Sequence, residues 1–282
     1  MKSKLLLLIV IFTSLGATCI RANNQKDNKE QKKGDDKICI KLIYDEPIEG
    51  YMVTADWQPF EAMDCETGLI TINFRNTSTG KEFQYINKEK FSSYHTDLIT
   101  FADGFEGYKN GDTYTIQYVT KPNPFEESQI DYYLPFQFYD VDFDGEKELL
   151  INDYYQGQQG NYYDVFEITD SGLEAKTYPP FNDIDNMTMF DSQNKIITSY
   201  THSGIFSSSS TYFQKIANTA KQDIIIPDNF DELLKQYLTE ITPEASSDFH
   251  IIGAEIKINE NKYNLTANNG KWELVELNSN VK

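Results

Sequence analysis

The stretch DVDFDGEKE, residues 140–148, decides the fold. Its aspartates alternate, a glycine follows them, and a glutamate stands at its ninth position. Carboxylates at this spacing repel one another unless a cation lies between them, and Ca²⁺ takes about six to eight oxygen ligands. Gly145 permits the left-handed backbone of a sharp turn. The spacing predicts a calcium loop that uses the backbone carbonyl of Glu146 and four side chains, those of Asp140, Asp142, Asp144 and Glu148.

The flanks of this loop exclude an EF-hand. An EF-hand needs a bidentate glutamate at position twelve, and Ile151 stands there. LPFQFY (residues 134–139) precedes the loop and LLIND (residues 149–153) follows it, and both are short apolar runs typical of buried strands. The prediction is strand, loop, strand. The alternative is a solvent-exposed acidic turn that binds no metal.

The loop resembles the calcium loops of FG-GAP/VCBS β-propeller repeats, which follow roughly the pattern DxDxDGxx(D/E)L. Leu149 supplies the apolar residue after the last acid. A full propeller would repeat the loop, but FNDIDN (residues 181–186) lacks the glycine and the third acid. We therefore expect one calcium loop in an incomplete propeller-like unit.

The composition narrows the function classes. The chain has 282 residues, a formal charge of −19 and 14% aromatic residues. Nucleic-acid binding is driven by Lys and Arg, so this acidity argues against a nucleic-acid partner. It favours a cation or a basic protein as partner. The aromatic content favours β-structure, and the length allows one large domain or two small ones.

The N-terminus is typical of an export signal over residues 1–22. Lys2 and Lys4 precede the apolar run LLLLIVIF, which is too short to span a membrane. Cleavage after Cys19 or after Ala22 is one alternative, and lipidation of Cys19 is the other, because LGATC loosely resembles a bacterial lipobox. Cleavage after Ala22 leaves 22 basic and 44 acidic residues, a charge of −22.

Two cysteines, Cys39 and Cys65, remain in the exported chain. An oxidising compartment permits a disulfide between them, and the alternative is two unpaired thiols buried as small apolar groups.

The rest of the chain divides into a tether and three units. Residues 23–37 are charged and lack apolar periodicity, which is typical of a disordered tether. Residues 38–120 are predicted to form an antiparallel β unit, and residues 121–222 a β-meander unit that contains the calcium loop. Residues 223–282 are predicted to form an amphipathic helix over residues 229–241, capped by Asp228, followed by a three-stranded meander. The fold class is therefore mainly β, with antiparallel meanders and one helix near the C-terminus.

No catalytic motif stands out, and we predict that the protein is not an enzyme. His95, His202 and His250 lie in no zinc-binding spacing, and neither a GxSxG elbow nor a P-loop occurs. THSGIFSSSS (residues 201–210) places His202 beside serines, but adjacent strand residues point to opposite faces. A serine-rich hairpin tip is the favoured interpretation of this stretch.

YDVDFDGEKELLI (residues 139–151) and NYYDVFEI (residues 161–168) together resemble a family of exported, calcium-dependent bacterial lysozyme inhibitors, some of which are periplasmic immunity proteins. The resemblance covers residues 130–216, and the N-terminal β unit departs from the small members of that family. It implies the five metal residues given above. It also implies a periplasmic protein that binds a peptidoglycan hydrolase or toxin, a target class in which basic proteins are common.

The alternative function is a cell-surface lipoprotein that binds glycans or host proteins. The tyrosines between Tyr154 and Tyr163 would then stack on sugars. Packing within a sheet is the favoured interpretation of these tyrosines, because aromatic residues are enriched in strands. In either case the membrane would be reached only through a lipid anchor at the N-terminus.

Overall fold

The computed structural model confirms a mainly-β fold, and the part of the chain that it describes contains one α-helix, near the C-terminus. The export signal, Cys19 and the tether lie outside the residues it describes. The structure describes residues 38–61, 64–92, 109–119, 130–131, 134–155, 161–202, 207–216, 224–241, 248–259 and 261–279.

The N-terminal sheet has five strands in the order β4-β3-β2-β1-β5. Adjacent strands are antiparallel from β1 to β4, as predicted, but β5 pairs with β1 in parallel, so the purely antiparallel prediction is wrong here. A parallel pair requires a long connection, which sequence patterns do not reveal. The strands are β1 Ile40–Tyr44, β2 Tyr51–Glu61, β3 Asp64–Asn76, β4 Glu82–Ser92 and β5 Thr113–Ile116.

The central sheet is a four-stranded antiparallel meander, β6-β7-β8-β9. A meander of this size has the strand count of a single propeller blade. The runs at residues 134–139 and 149–153, predicted as the strands that flank the acidic loop, correspond to β6 and β7. The strands are β6 Phe136–Tyr139, β7 Glu148–Tyr155, β8 Asn161–Thr169 and β9 Gly172–Ala175.

The C-terminal sheet has six antiparallel strands in the order of the chain. It unites strands on both sides of residue 222, where we had predicted a boundary, and residues 37–282 form one compact unit. The strands are β10 Met189–Asp191, β11 Ile196–His202, β12 Ser207–Lys215, β13 Phe249–Ile258, β14 Asn261–Asn268 and β15 Lys271–Ser279.

The central sheet is buried on both faces. One face contributes Phe136, Phe138, Leu149 and Ile151 to an N-terminal core shared with the five-stranded sheet. The other contributes Leu150, Tyr163 and Val165 to a C-terminal core shared with the six-stranded sheet and the helix. This double burial explains why the run after the loop is continuously apolar instead of alternating.

Ser207–Ser210 of the serine-rich stretch belong to a strand that forms an antiparallel hairpin with β11, while residues 203–206 between the two strands lie outside the described residues. Ser207–Ser210 open β12, and Ser208 pairs with His202 of β11. Ser207 and Ser209 are buried. The four serines therefore lie in the second strand of this hairpin, where they also pair with β13.

The helix α1 spans Glu232–Ile241 and begins later than predicted. Residues 228–230 form a turn, in which the Phe230 N–H donates to the Pro227 carbonyl at 3.2 Å. Asp231 caps the helix in place of Asp228, because its Oδ1 accepts the Leu234 N–H at 2.8 Å. Leu234 and Leu238 are buried as the apolar stripe predicted. Among the described residues, no helix has the length and apolar character needed to cross a membrane.

The hairpin of β14 and β15 has a tight turn followed by a buried tryptophan. Asn269 and Gly270 both have positive φ, 48° and 71°, as a type I′ turn requires. Trp272, two residues later, is fully buried in the C-terminal core.

Candidate metal centre

The acidic loop connects β6 to β7 and is closed by the pairing of Tyr139 with Glu148. Gly145 has a φ of 98°, which meets the predicted need for glycine at the turn. Phe143 also has a positive φ, 60°, a conformation that costs a non-glycine residue about 1 kcal/mol or more.

Two apolar side chains anchor the loop from within. Val141 and Phe143 alternate with the aspartates, and both are buried in the C-terminal core. The Phe143 ring contacts the rings of Phe190 and Phe249, with centroids 6.4 Å away in each case. The alternation therefore directs the acids to one side and the anchors to the other, which offsets the strain at Phe143.

Carboxylate oxygens of the loop accept hydrogen bonds from its backbone N–H groups. Asp140 accepts from Asp144 through Oδ1 and from Gly145 through Oδ2, both at 3.1 Å. Asp142 Oδ1 also accepts the Asp144 N–H at 3.1 Å. Asp144 Oδ1 accepts the Glu146 N–H at 2.8 Å. These bonds fix the turn and orient the first two aspartates toward its interior.

Three of the predicted ligands converge. Asp140, Asp142 and Glu148 each offer one carboxylate oxygen, and these oxygens lie within 4.8 Å of one another. Glu148 is almost fully buried, and its Oε2 accepts the Val141 N–H at 3.0 Å. Asp144 and Glu146 are exposed and outside this group, so their roles as ligands stay predictions. The triad could hold a metal ion.

Two lysines that the sequence did not point to complete the site. Lys176 Nζ lies 2.6 Å from Asp142 Oδ2 and 2.9 Å from Glu148 Oε1. Lys215 Nζ lies 3.3 Å from Asp142 Oδ1. Lys176 follows β9 of the central sheet and Lys215 ends β12 of the C-terminal sheet, so Asp142 is bonded to two sheets at once.

The pKa shifts follow from this arrangement. Burial alone would lower the pKa of Lys176, but its hydrogen bonds to Asp142 and Glu148 outweigh burial and raise it. Burial likewise opposes ionisation of Asp142, but Lys176 and Lys215 together lower its pKa. At Glu148, burial outweighs the hydrogen bond from Lys176, and the pKa is raised. Lys176 and Asp142 are therefore a charged pair at neutral pH.

The charges and donors fit a divalent cation. The three carboxylates of the triad outnumber the ammonium groups of Lys176 and Lys215 by one, and the exposed carboxylate of Asp144 adds a second negative charge to the loop. The side-chain donors are all oxygen, which hard cations such as Ca²⁺ and Mg²⁺ prefer.

The structure gives no support to the predicted disulfide. Cys39 has a free thiol, and β2 lies between β1, which Cys39 directly precedes, and β3, which contains Cys65. Strands two places apart are separated by about 9–10 Å, whereas a disulfide needs Cα atoms within about 7 Å. The side chain of Cys65 lies outside the described residues, so the pairing stays a prediction.

The remaining candidate residues lie apart from the loop or outside the described part of the chain. Tyr163 is buried in the C-terminal core, and its hydroxyl donates to the Asp131 carbonyl at 3.2 Å. That position agrees with sheet packing and not with sugar stacking. The side chains of Tyr154 and His202 lie outside the described residues, as does His95, and His250 lies on β13 opposite Gln214.

Comparisons with known proteins assign no family. No family model and no curated protein matches the chain. Among solved structures, a Xanthomonas type IV secretion system related protein is similar at 11% identity and a TM-score of 0.47, with 84% of this chain and 93% of that chain covered.

Proposed function

We propose that the protein is an exported, non-catalytic β-protein that binds Ca²⁺ in its acidic loop and acts by binding a partner protein. The observation that carries the calcium assignment is the convergence of Asp140, Asp142 and Glu148 within 4.8 Å. One negative charge remains at the triad after Lys176 and Lys215 are counted, and exposed Asp144 adds another, which supports a divalent ion. A bound Ca²⁺ would supply the charge that balances them.

Buried residues within and beside the acidic loop hold its backbone in one conformation. Val141 and Phe143 hold it in the C-terminal core, while Phe138 and Leu149, on the strands beside it, lie in the N-terminal core. A surface that is already ordered loses less entropy on binding. This supports a binding role for the surface around the loop.

Charge supports a basic partner. The whole chain has a formal charge of −19, and complementary charge raises association rates more than affinity. An exported, basic peptidoglycan hydrolase or toxin is therefore the leading target class, and the protein would inhibit it.

Calcium is expected to raise the melting temperature of protein first stripped with EGTA. Binding to the folded state alone stabilises it by about 2.7 kcal/mol at a hundredfold excess over Kd. Asp140→Asn should weaken binding about tenfold or more, because ligand charge sets calcium affinity. Asp170→Asn, in the exposed turn after β8, is the matched control and should bind as wild type does. Calorimetry and thermal unfolding measure both quantities. An unchanged melting temperature at about 1 mM Ca²⁺, the affinity range of extracellular modules, would refute the calcium site.

The binding role is tested with a basic peptidoglycan hydrolase such as lysozyme. We expect the protein to slow peptidoglycan turnover when Ca²⁺ is present and to lose this effect in EGTA. Retention on a glycan array without inhibition would support the surface lipoprotein in its place. Turnover of peptidoglycan by the protein itself, abolished by a carboxylate substitution outside residues 140–148, would contradict both.

A further inference from the structure

Lys176 reaches the acidic loop from a fixed backbone position. Its N–H donates to the Val165 carbonyl at 2.9 Å, which extends the pairing of β8 and β9 by one residue. Val165 is itself buried in the C-terminal core. The side chain of Lys176 then runs inward and is only 7% exposed.

The ammonium group of Lys176 lies where a metal would have to bind. It contacts Asp142 Oδ2 at 2.6 Å and Glu148 Oε1 at 2.9 Å, and these residues are two of the three that converge. Distances of about 2.7–2.9 Å are typical of charge-assisted bonds. The Phe181 ring, whose centroid lies 5.2 Å from the nitrogen, covers it from another side. Glu167, at 3.8 Å, is more than half exposed and adds little.

We propose that Lys176 is the loop's internal cation: it holds Asp142 and Glu148 together without metal, and it sets how strongly the loop depends on Ca²⁺. The second half of this inference rests on the calcium site proposed above. The first half concerns the metal-free protein and stands on the contacts of Lys176 alone.

Both parts of the inference, the support of the metal-free loop and the effect on Ca²⁺ binding, follow from the burial of Lys176 and its carboxylate partners. Removing one partner of a buried ion pair leaves an uncompensated buried charge, which is strongly destabilising. The ammonium therefore stabilises the closed loop before any metal arrives. It also repels a cation that approaches the same oxygens, and the repulsion is strong at low dielectric constant. Lys176 thus weakens calcium binding while it makes the fold less dependent on calcium.

The test compares Lys176→Met with Lys81→Met. Methionine keeps much of the lysine side chain's length without its charge. Lys81 bonds the Thr169 carbonyl and Asp170, so its replacement removes the same charge from the protein without touching the loop. Calorimetry with Ca²⁺ should give about tenfold or tighter binding for Lys176→Met than for wild type, and nearly unchanged binding for Lys81→Met. Equal or weaker binding by Lys176→Met than by wild type would overturn the inference.

A second measurement in EGTA decides the metal-free half. We expect Lys176→Met to melt about 5 °C or more below Lys81→Met. Adding Glu148→Gln should recover part of this loss, because it removes the carboxylate that the missing ammonium leaves unbalanced. Purely additive effects of the two substitutions would show that the residues are not coupled, and would overturn the inference.

The two experiments separate this inference from the calcium proposal. Binding by Lys176→Met but not by wild type upholds the internal cation and refutes calcium binding by the natural protein. Equal binding by Lys176→Met and wild type upholds the calcium proposal and refutes the internal cation. If neither binds, the calcium proposal fails, and the coupling between Lys176 and Glu148 in EGTA alone decides whether lysine supports the loop.

Discussion

Replacing Phe136 with alanine is expected to remove about 3–5 kcal/mol of stability, the usual cost of truncating a fully buried phenylalanine. Phe136 is 0% exposed and belongs to β6, the strand that leads into the acidic loop. Its ring meets those of Tyr44 and Phe74 edge-on, with centroids 5.3 Å away in both cases. The substitution therefore removes two of the aromatic contacts between the central and N-terminal sheets.

Urea denaturation measures this loss, provided that the slope m stays constant. Phe60→Ala is the matched control, because Phe60 is 51% exposed and surface substitutions usually change stability by about 0.5 kcal/mol or less. A loss for Phe136→Ala no larger than that for Phe60→Ala would mean that the two sheets do not depend on this contact.

Stability is also expected to fall as the pH rises from about 4 to about 7, because of Asp185. Asp185 is 1% exposed, and its Oδ2 has no hydrogen-bond partner among the described residues. Its Oδ1 accepts the Met187 N–H and the Thr188 hydroxyl, both at 2.9 Å. Burial raises the pKa of Asp185 from 3.8 to about 7, and the charge of nearby Asp183 adds to the shift. Burial raises the pKa of Asp183 to about 6.

The direction of this pH dependence follows from the linkage between proton binding and folding. A carboxyl whose pKa is higher in the folded state stabilises the protein fully below its unfolded pKa, and this stability is lost as the pH rises through the folded pKa. A shift of about three units corresponds to about 4 kcal/mol as an upper value. Asp142, whose pKa is lowered, acts in the opposite direction, and only at more acidic pH.

The measurement compares denaturant stability at about pH 5 and about pH 8. Asp185→Asn keeps an acceptor for Thr188 and removes the ionisation, so it should be more stable than wild type at the higher pH and depend less on pH. Asp170→Asn, at an exposed carboxyl, should keep the wild-type profile. The same pH dependence in wild type and Asp185→Asn would assign the effect to other groups.

Much of the fold could be predicted because its signals are local. β6 to β9 and the C-terminal hairpins alternate apolar runs with turn residues, and each pairs with its neighbour in the chain. The loop was found for the same reason, since its ligands lie within nine residues. The exceptions are pairings that join distant parts of the chain, such as β1 with β5.

The strand β2 is difficult to predict from the sequence although its buried residues alternate. Val53, Ala55 and Trp57 all face the N-terminal core, but Pro59 argues against a central strand because it cannot donate to the ladder. The structure accommodates it at a bulge between Pro59 and Glu61, with Gly68 opposite. A Cβ at Gly68 would lie 2.4 Å from the Gln58 carbonyl oxygen, so this close approach requires glycine. The sequence alone does not show that Pro59 lies opposite Gly68, because this depends on the register of β2 and β3.

Lys176 could not be predicted as part of the site. It lies 28 residues from Glu148 and 34 from Asp142 along the chain, and only the register of β8 and β9 brings it to the loop. A single lysine near a strand end is ordinarily a solvated residue. The burial of Asp185 could not be predicted either. FNDIDN lacks the spacing of a metal loop, and the burial of the Asp185 side chain depends on the surrounding sheets.

The two lysines of the loop also impose an order on biosynthesis. The ribosome completes the acidic loop at Glu148, but it adds Lys176 only with the end of β9 and Lys215 only with the end of β12. A nascent chain therefore carries the carboxylates of Asp140, Asp142, Asp144 and Glu148 without the ammonium groups that face them in the finished protein. During that interval mutual repulsion favours an open loop, and the C-terminal side of the central meander stays uncovered. The counter-charges of the loop are therefore complete only once β12 has emerged, before the last three strands.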